Sequence, residues 1–97
     1  MKYYPVFLDV RERPCIVVGG GQVAERKAVA LFDAGADLTV VSPELTPHLR
    51  ELADKGKITH HPKNFDERDL AGAYLVIAAT NDAPVNDAVA HACRKNG

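Results

Sequence analysis

Gly19-x-Gly21-x-x-Ala24 is the stretch of this sequence with the clearest chemical use. A glycine at the first position permits a tight turn out of a strand. A glycine at the third removes side-chain atoms, so that a pyrophosphate can approach the backbone. A small residue at the sixth lets the next helix lie close on the strand. Phosphates would then sit over the N-terminus of the helix opened by Gln22, where free N–H groups and the helix dipole favour an anion. Gly20 is an additional glycine inside the turn. The plainer reading is a glycine turn with a packing role only. Context favours phosphate binding: an apolar strand precedes the motif, a helical pattern follows, and a second strand ends about 20 residues later.

A dinucleotide held this way needs a ribose contact at the end of the second strand, which here is Val41-Ser42-Pro43-Glu44. Glu44 stands somewhat late for the usual acidic residue, and Ser42 is not acidic. Contact through Ser42, the local backbone or Glu44 are all open, as is Glu44 as an exposed turn residue. No arginine stands there to meet a 2′-phosphate, which favours NAD mildly over NADP. Thr80 and Asn81 follow the fourth strand, at the edge where open α/β sheets bind ligands, and would line the nicotinamide side. Asp82 beside them is a candidate helix cap, and the two roles are compatible.

Other polar residues carry less. His60 and His61 are adjacent on a strand, so their side chains point to opposite faces and cannot chelate one ion; they read as surface histidines. His91 and Cys93 lie two apart on a helix and share no face. Arg26 and Lys27 read as a solvated helix edge. Cys15 and Cys93 lack CxxC spacing and read as two buried free thiols. Nothing resembles a Ser-His-Asp or Cys-His arrangement, and no metal site is expected.

The elements that must position these residues alternate. Pro14–Val18 is an unbroken apolar strand, implying cover on both faces as in a parallel sheet. The spacing of Ala24, Ala28, Leu31 and Phe32 predicts a helix over 22–34, with Gly35 as its left-handed stop. A second strand over 37–41 leads to a helix capped by Thr46, with Pro47 in its first turn, running to about Lys55 and Gly56. A third strand over 57–61, a helical turn from Asp66 with Asp69 three residues on, a fourth strand over 74–79 and a last helix over 83–95 complete the pattern. Such alternation predicts an α/β, Rossmann-type, doubly wound parallel sheet of order 3-2-1-4. Tyr3–Val10 is a further edge-strand candidate.

The chain has 97 residues, 46% hydrophobic and 26% charged, with a formal net charge of -1. Those proportions suit one small globular domain. Without a basic excess, a nucleic-acid partner is not expected. The longest apolar run, 73–79, is too short to cross a membrane. The N-terminus lacks the look of a secretory signal, so a cytoplasmic setting is expected.

The glycine motif extends to Gly19-Gly20-Gly21-Gln22-Val23-Ala24-Glu25-Arg26-Lys27. Ala34-Gly35-Ala36-x-x-Thr39-Val40-Val41-Ser42-Pro43 follows, then Val76-Ile77-Ala78-Ala79-Thr80-Asn81-Asp82-x-x-Val85-Asn86, with Pro5-Val6-Phe7-Leu8 at the start. Together these resemble the N-terminal domain of the siroheme synthases, the precorrin-2 dehydrogenase and sirohydrochlorin ferrochelatase family, over nearly the whole chain. The resemblance implies NAD-dependent oxidation of precorrin-2, a tetrapyrrole, to sirohydrochlorin, with iron chelation in many members. It implies cofactor contacts from Gln22 and Val23 after the glycines and from Pro43 and Glu44 after the second strand. It also implies a homodimer. The family's key aspartate belongs to an Asn-Val-Val-Asp stretch on the strand expected after the last helix, which this sequence does not reach. Residues 1–97 are thus expected to be a truncated NAD-binding unit, inactive alone, with no catalytic residue of its own. Its fourth strand would form an apolar edge, inviting dimerisation or aggregation.

Two rival readings come from other classes. A non-catalytic NAD-sensing regulatory domain would be expected to carry an acidic residue directly at the end of the second strand, which Ser42 does not supply. A methyltransferase also suits a glycine-rich first turn, but Ala24 and the Thr80-Asn81 turn favour the dinucleotide.

Overall fold

The computed structural model describes residues 7–96. In chain order the elements are β1 (Pro14–Val18), α1 (Gln22–Asp33), β2 (Asp37–Val41), α2 (Pro47–Asp54), β3 (Thr59–His61), a 3-10 segment (Glu67–Leu70), β4 (Leu75–Ala78) and α3 (Ala83–Asn96). The sheet order is β3-β2-β1-β4, and all three pairings are parallel. This is the expected α/β architecture.

Alternation along β1 distributes its residues to two cores. Cys15 and Val17 pack with Ala24, Ala28, Leu38, Val40 and Leu49, beneath α1 and α2. Ile16 and Val18 pack with Val41 and Val89, and Phe65, Val85 and Cys93 border that cluster beneath α3. Both faces of the central strand are therefore covered, as its unbroken apolar run requires. Ala24 and Ala28 are fully buried where α1 crosses the sheet, so a larger side chain at either would push the helix off the strand.

Local signals set the ends of the elements. The Thr46 hydroxyl accepts from Leu49 N at 3.2 Å, with Pro47 opening α2. Gly35 and Gly56, just past the ends of α1 and α2, have φ of +88° and +72°, the left-handed stop that favours glycine. Asp66 and Asp69 form a reciprocal capping box on the 3-10 segment. Asp82 Oδ1 accepts from Val85 N in the first turn of α3.

Several expectations are corrected. β3 is shorter than the strand expected over 57–61: Lys57 and Ile58 lie before it, Lys57 N bonding back to Leu52 O. β4 loses both expected end residues, Tyr74 and Ala79, and its side chains are at best half-buried, because β4 is an edge of the sheet. Phe7–Val10 is not a strand; Tyr3–Val6, the rest of that expected edge, lies outside the described residues. Cys15 is a buried free thiol, but Cys93 is only partly buried, because it lies at the border of the smaller core. His60 is not a plain surface residue either: it is half-buried, and its Nε2 donates to Ser42 O at 2.9 Å.

Candidate cofactor site

β1 ends at Val18, and its chain turns into α1 through three glycines that do different work. Gly19 has φ +131°, and a Cβ there would lie 2.5 Å from Ala79 O, so the turn can pass β4 only without a side chain. At Gly20 a Cβ would overlap the Glu44 carbonyl oxygen and stand 2.5 Å from Ser42 Oγ. Gly20 is thus the contact between the glycine turn and the loop after β2, and not a spare glycine. A Cβ on Gly21 would meet nothing within 4 Å. Gly21 is the N-cap of α1, yet no side chain caps the helix. Gly21, Gln22 and Val23 at the start of α1 are exposed, and a helix start of this kind stabilises an anion through its donors and dipole together.

The loop after β2 is fastened from inside. Ser42 is 4% exposed, and its hydroxyl donates to Glu44 O at 2.6 Å. That hydroxyl serves the loop, which leaves Pro43 and the Glu44 side chain as the exposed groups on this wall. After β4, Asn86 brackets Thr80. The Thr80 hydroxyl donates to Asn86 Oδ1 at 2.6 Å, Thr80 N donates to the same oxygen at 3.2 Å, and Asn86 Nδ2 donates to Thr80 O at 3.0 Å. Thr80 is thereby held as a turn, and Asn81 is left exposed beside it.

These segments surround one cavity of about 950 Å³ at the carboxyl ends of β1, β2 and β4. Gly19, Gly20, Gly21, Gln22, Val23, Ser42, Pro43, Glu44, Thr80 and Asn81 all line it. The volume is in the range of small-molecule and cofactor sites, and the place is the crevice where strand order switches direction. The charged lining residues are Glu44, Lys63 and Asp82, and Lys63 is ion-paired with Asp69. Arg26 and Lys27 are exposed and do not line it. Compensation for a phosphate must come chiefly from backbone N–H groups and the α1 dipole, as the open Gly21 face provides. The residues present fit a dinucleotide.

Burial, then Asp37, pushes the Cys15 thiol up, while the Lys55 ammonium bonded to Glu51 lowers that carboxyl. The hydrogen-bonded guanidinium groups of Arg11 and Arg68 bring Asp9 and Asp66 each down to about 2. Among the described residues no group of three or more His, Cys, Asp or Glu is placed to hold a metal.

Residues 6–97 match a family model described as NAD(P)-binding. The chain belongs to this family. Among curated proteins, the siroheme synthase of Nitrosococcus oceani is 47% identical over 97 residues, covering 100% of this chain and 21% of that protein. The siroheme synthase of Methylobacillus flagellatus is 53% identical over 89 residues, 92% of this chain and 19% of its own length. The chain thus spans about a fifth of the length of these relatives. A solved structure of SirC, precorrin-2 dehydrogenase, superposes with a TM-score of 0.82 at 36% identity, over 88% of this chain and 43% of that one.

Several lining residues escaped the sequence reading. Thr46 reads only as a helix cap, because its other partners, Gly20 and Glu25, are distant in sequence. Lys63, Asn64 and Phe65 also line the cavity; they follow a three-residue strand and carry no local signal. Pro84, Val85 and Ala88 add an apolar wall from α3.

Proposed function

We propose that residues 1–97 are the NAD-binding unit of an oxidoreductase that oxidises precorrin-2 to sirohydrochlorin in siroheme biosynthesis. The observation that carries this reading is the convergence of the glycine turn, the Ser42–Glu44 loop and the Thr80–Asn81 turn on one cavity, in a chain related to siroheme synthases. Bound NAD would supply a hydride acceptor. Around it, the α1 N-terminus and Gly21 hold the pyrophosphate, Pro43 and Glu44 face the adenosine ribose, and Asn81 borders the nicotinamide side. Binding there excludes water from the Val23, Val85 and Ala88 wall and orients the ring toward the open mouth.

Coarser and finer properties follow the same reading. Among the described residues no helix is long and apolar enough to cross a membrane, which accords with work in the cytoplasm. A homodimer accords with the half-exposed apolar side chains of the β4 edge. Iron insertion, a lyase activity, would be a second reaction of the same pathway.

Calorimetric titration with NAD, NADP and S-adenosylmethionine, with Gly21→Val as the control, tests the proposal. The expected result is saturable NAD binding that the variant loses. Binding of S-adenosylmethionine alone, or of no ligand by a folded protein, would overturn it.

A further inference from the structure

Thr46 sits where three connections meet. Its N–H donates to Gly20 O at 3.0 Å. Its hydroxyl donates to Glu25 Oε1 at 2.6 Å and accepts from Leu49 N at 3.2 Å. Gly20 belongs to the glycine turn, Glu25 to α1 one turn beyond Gly21, and Leu49 to α2. Thr46 and Glu25 are both half-buried, and Thr46 itself lines the cavity. Only the bond to Leu49 is needed to cap α2. The other two tie the turn and the start of α1 to the loop after β2.

The acidic partner is the unexpected part. Glu25 is the acidic residue in the first turn of α1, close to where a pyrophosphate would gather its donors. A carboxylate there disfavours a second anion by Coulomb repulsion. A carboxylate at this place makes sense if its bond to Thr46 does something that outweighs the repulsion. The geometry supplies that: the Glu25–Thr46 bond and the Thr46–Gly20 bond close a bracket around Gly20, Gly21 and the first turn of α1. The bracket holds the N–H groups of that turn in one arrangement before any ligand arrives, which lowers the ordering cost of binding.

We infer that Thr46 and Glu25 form a tether that positions the glycine turn for the dinucleotide phosphates, Thr46 being a positioning residue beyond its role as a helix cap. The inference rests on the NAD-binding reading above. Electrostatics and positioning predict opposite signs for one substitution. Removing the carboxylate in Glu25→Ala should strengthen anion binding if charge alone matters. It should weaken binding if the tether matters, while leaving the α2 cap intact.

The experiment is titration of the protein with NAD in four forms: unaltered, Glu25→Ala, Thr46→Ser and Thr46→Val, with a melting curve for each. The tether predicts a Kd for NAD raised roughly tenfold in Glu25→Ala, in keeping with loss of one charge-assisted hydrogen bond. It predicts a similar rise in Thr46→Val and near-native affinity in Thr46→Ser, which keeps the hydroxyl. Unchanged or tighter binding in a folded Glu25→Ala overturns it, as does weak binding in a folded Thr46→Ser. If the unaltered protein itself fails to bind NAD, the functional reading fails and takes the tether with it.

Discussion

At Gly20 an added methyl would overlap the Glu44 carbonyl oxygen, whereas at Gly21 it would enter open space. Adjacent glycines therefore predict opposite phenotypes. Gly20→Ala should lose on the order of 1–3 kcal/mol of stability through overpacking against backbone that cannot yield, read as a lower denaturant midpoint. Gly21→Val should melt near the native temperature yet lose NAD affinity, because its methyls occupy the phosphate position. The motif spacing alone marks Gly21 as the close-approach residue. It cannot mark Gly20, whose constraint comes from a loop more than 20 residues further on. The two thiols also separate: Cys15 is 1% exposed and its thiol is pushed up by burial. A thiol reagent should therefore modify Cys93 quickly in the folded protein, and Cys15 only after unfolding.

Helix ends and turns follow short-range chemistry, and this is why so many of them are legible: Thr46-Pro47, Gly35, Asp82 and the Asp66–Asp69 box all act on neighbours within a few residues. The box also predicts a pH effect. Hydrogen bonds from Arg68 lower Asp66 from 3.8 to about 2 in the folded protein. A folded-state value below the unfolded one contributes stability that is fully present above pH 3.8 and is lost as pH falls toward about 2. Asp66→Asn should thus lower the melting temperature at neutral pH, and the gap from the unaltered protein should close on acidification through that window. A gap that stays constant with pH would show that the carboxylate charge plays no part. Strand ends were less legible than helix ends. β4 reads as the strongest strand by composition, yet it spans four residues and is only half-buried, because apolar content does not reveal which strand lies at an edge.

At the scale of the whole molecule, the cavity exists because the order β3-β2-β1-β4 brings the carboxyl ends of β1, β2 and β4 to one rim. A ligand that binds only this assembled rim must stabilise the fold. NAD at about 100 times its Kd would add roughly 2.7 kcal/mol, raising the melting temperature by on the order of 10–20 °C for a domain of this size. S-adenosylmethionine should give no comparable shift. The sequence by itself determined the alternating α/β elements, the parallel sheet and the glycine turn, since hydrophobic period, caps and turn residues act over a few positions. Only the tertiary structure decided that Gly20 packs on the Glu44 carbonyl, that the Ser42 hydroxyl is spent inside its loop, and that Asn86 clamps Thr80. It alone showed that Thr46 reaches both Gly20 and Glu25. The Ser42 and Asn86 bonds span only two and six residues, and the folded loop decides which of several open roles each side chain takes. Gly20 and Glu44, and Thr46 with Gly20 and Glu25, are more than 20 residues apart and meet only when the strands are side by side, so no local pattern encodes those pairs.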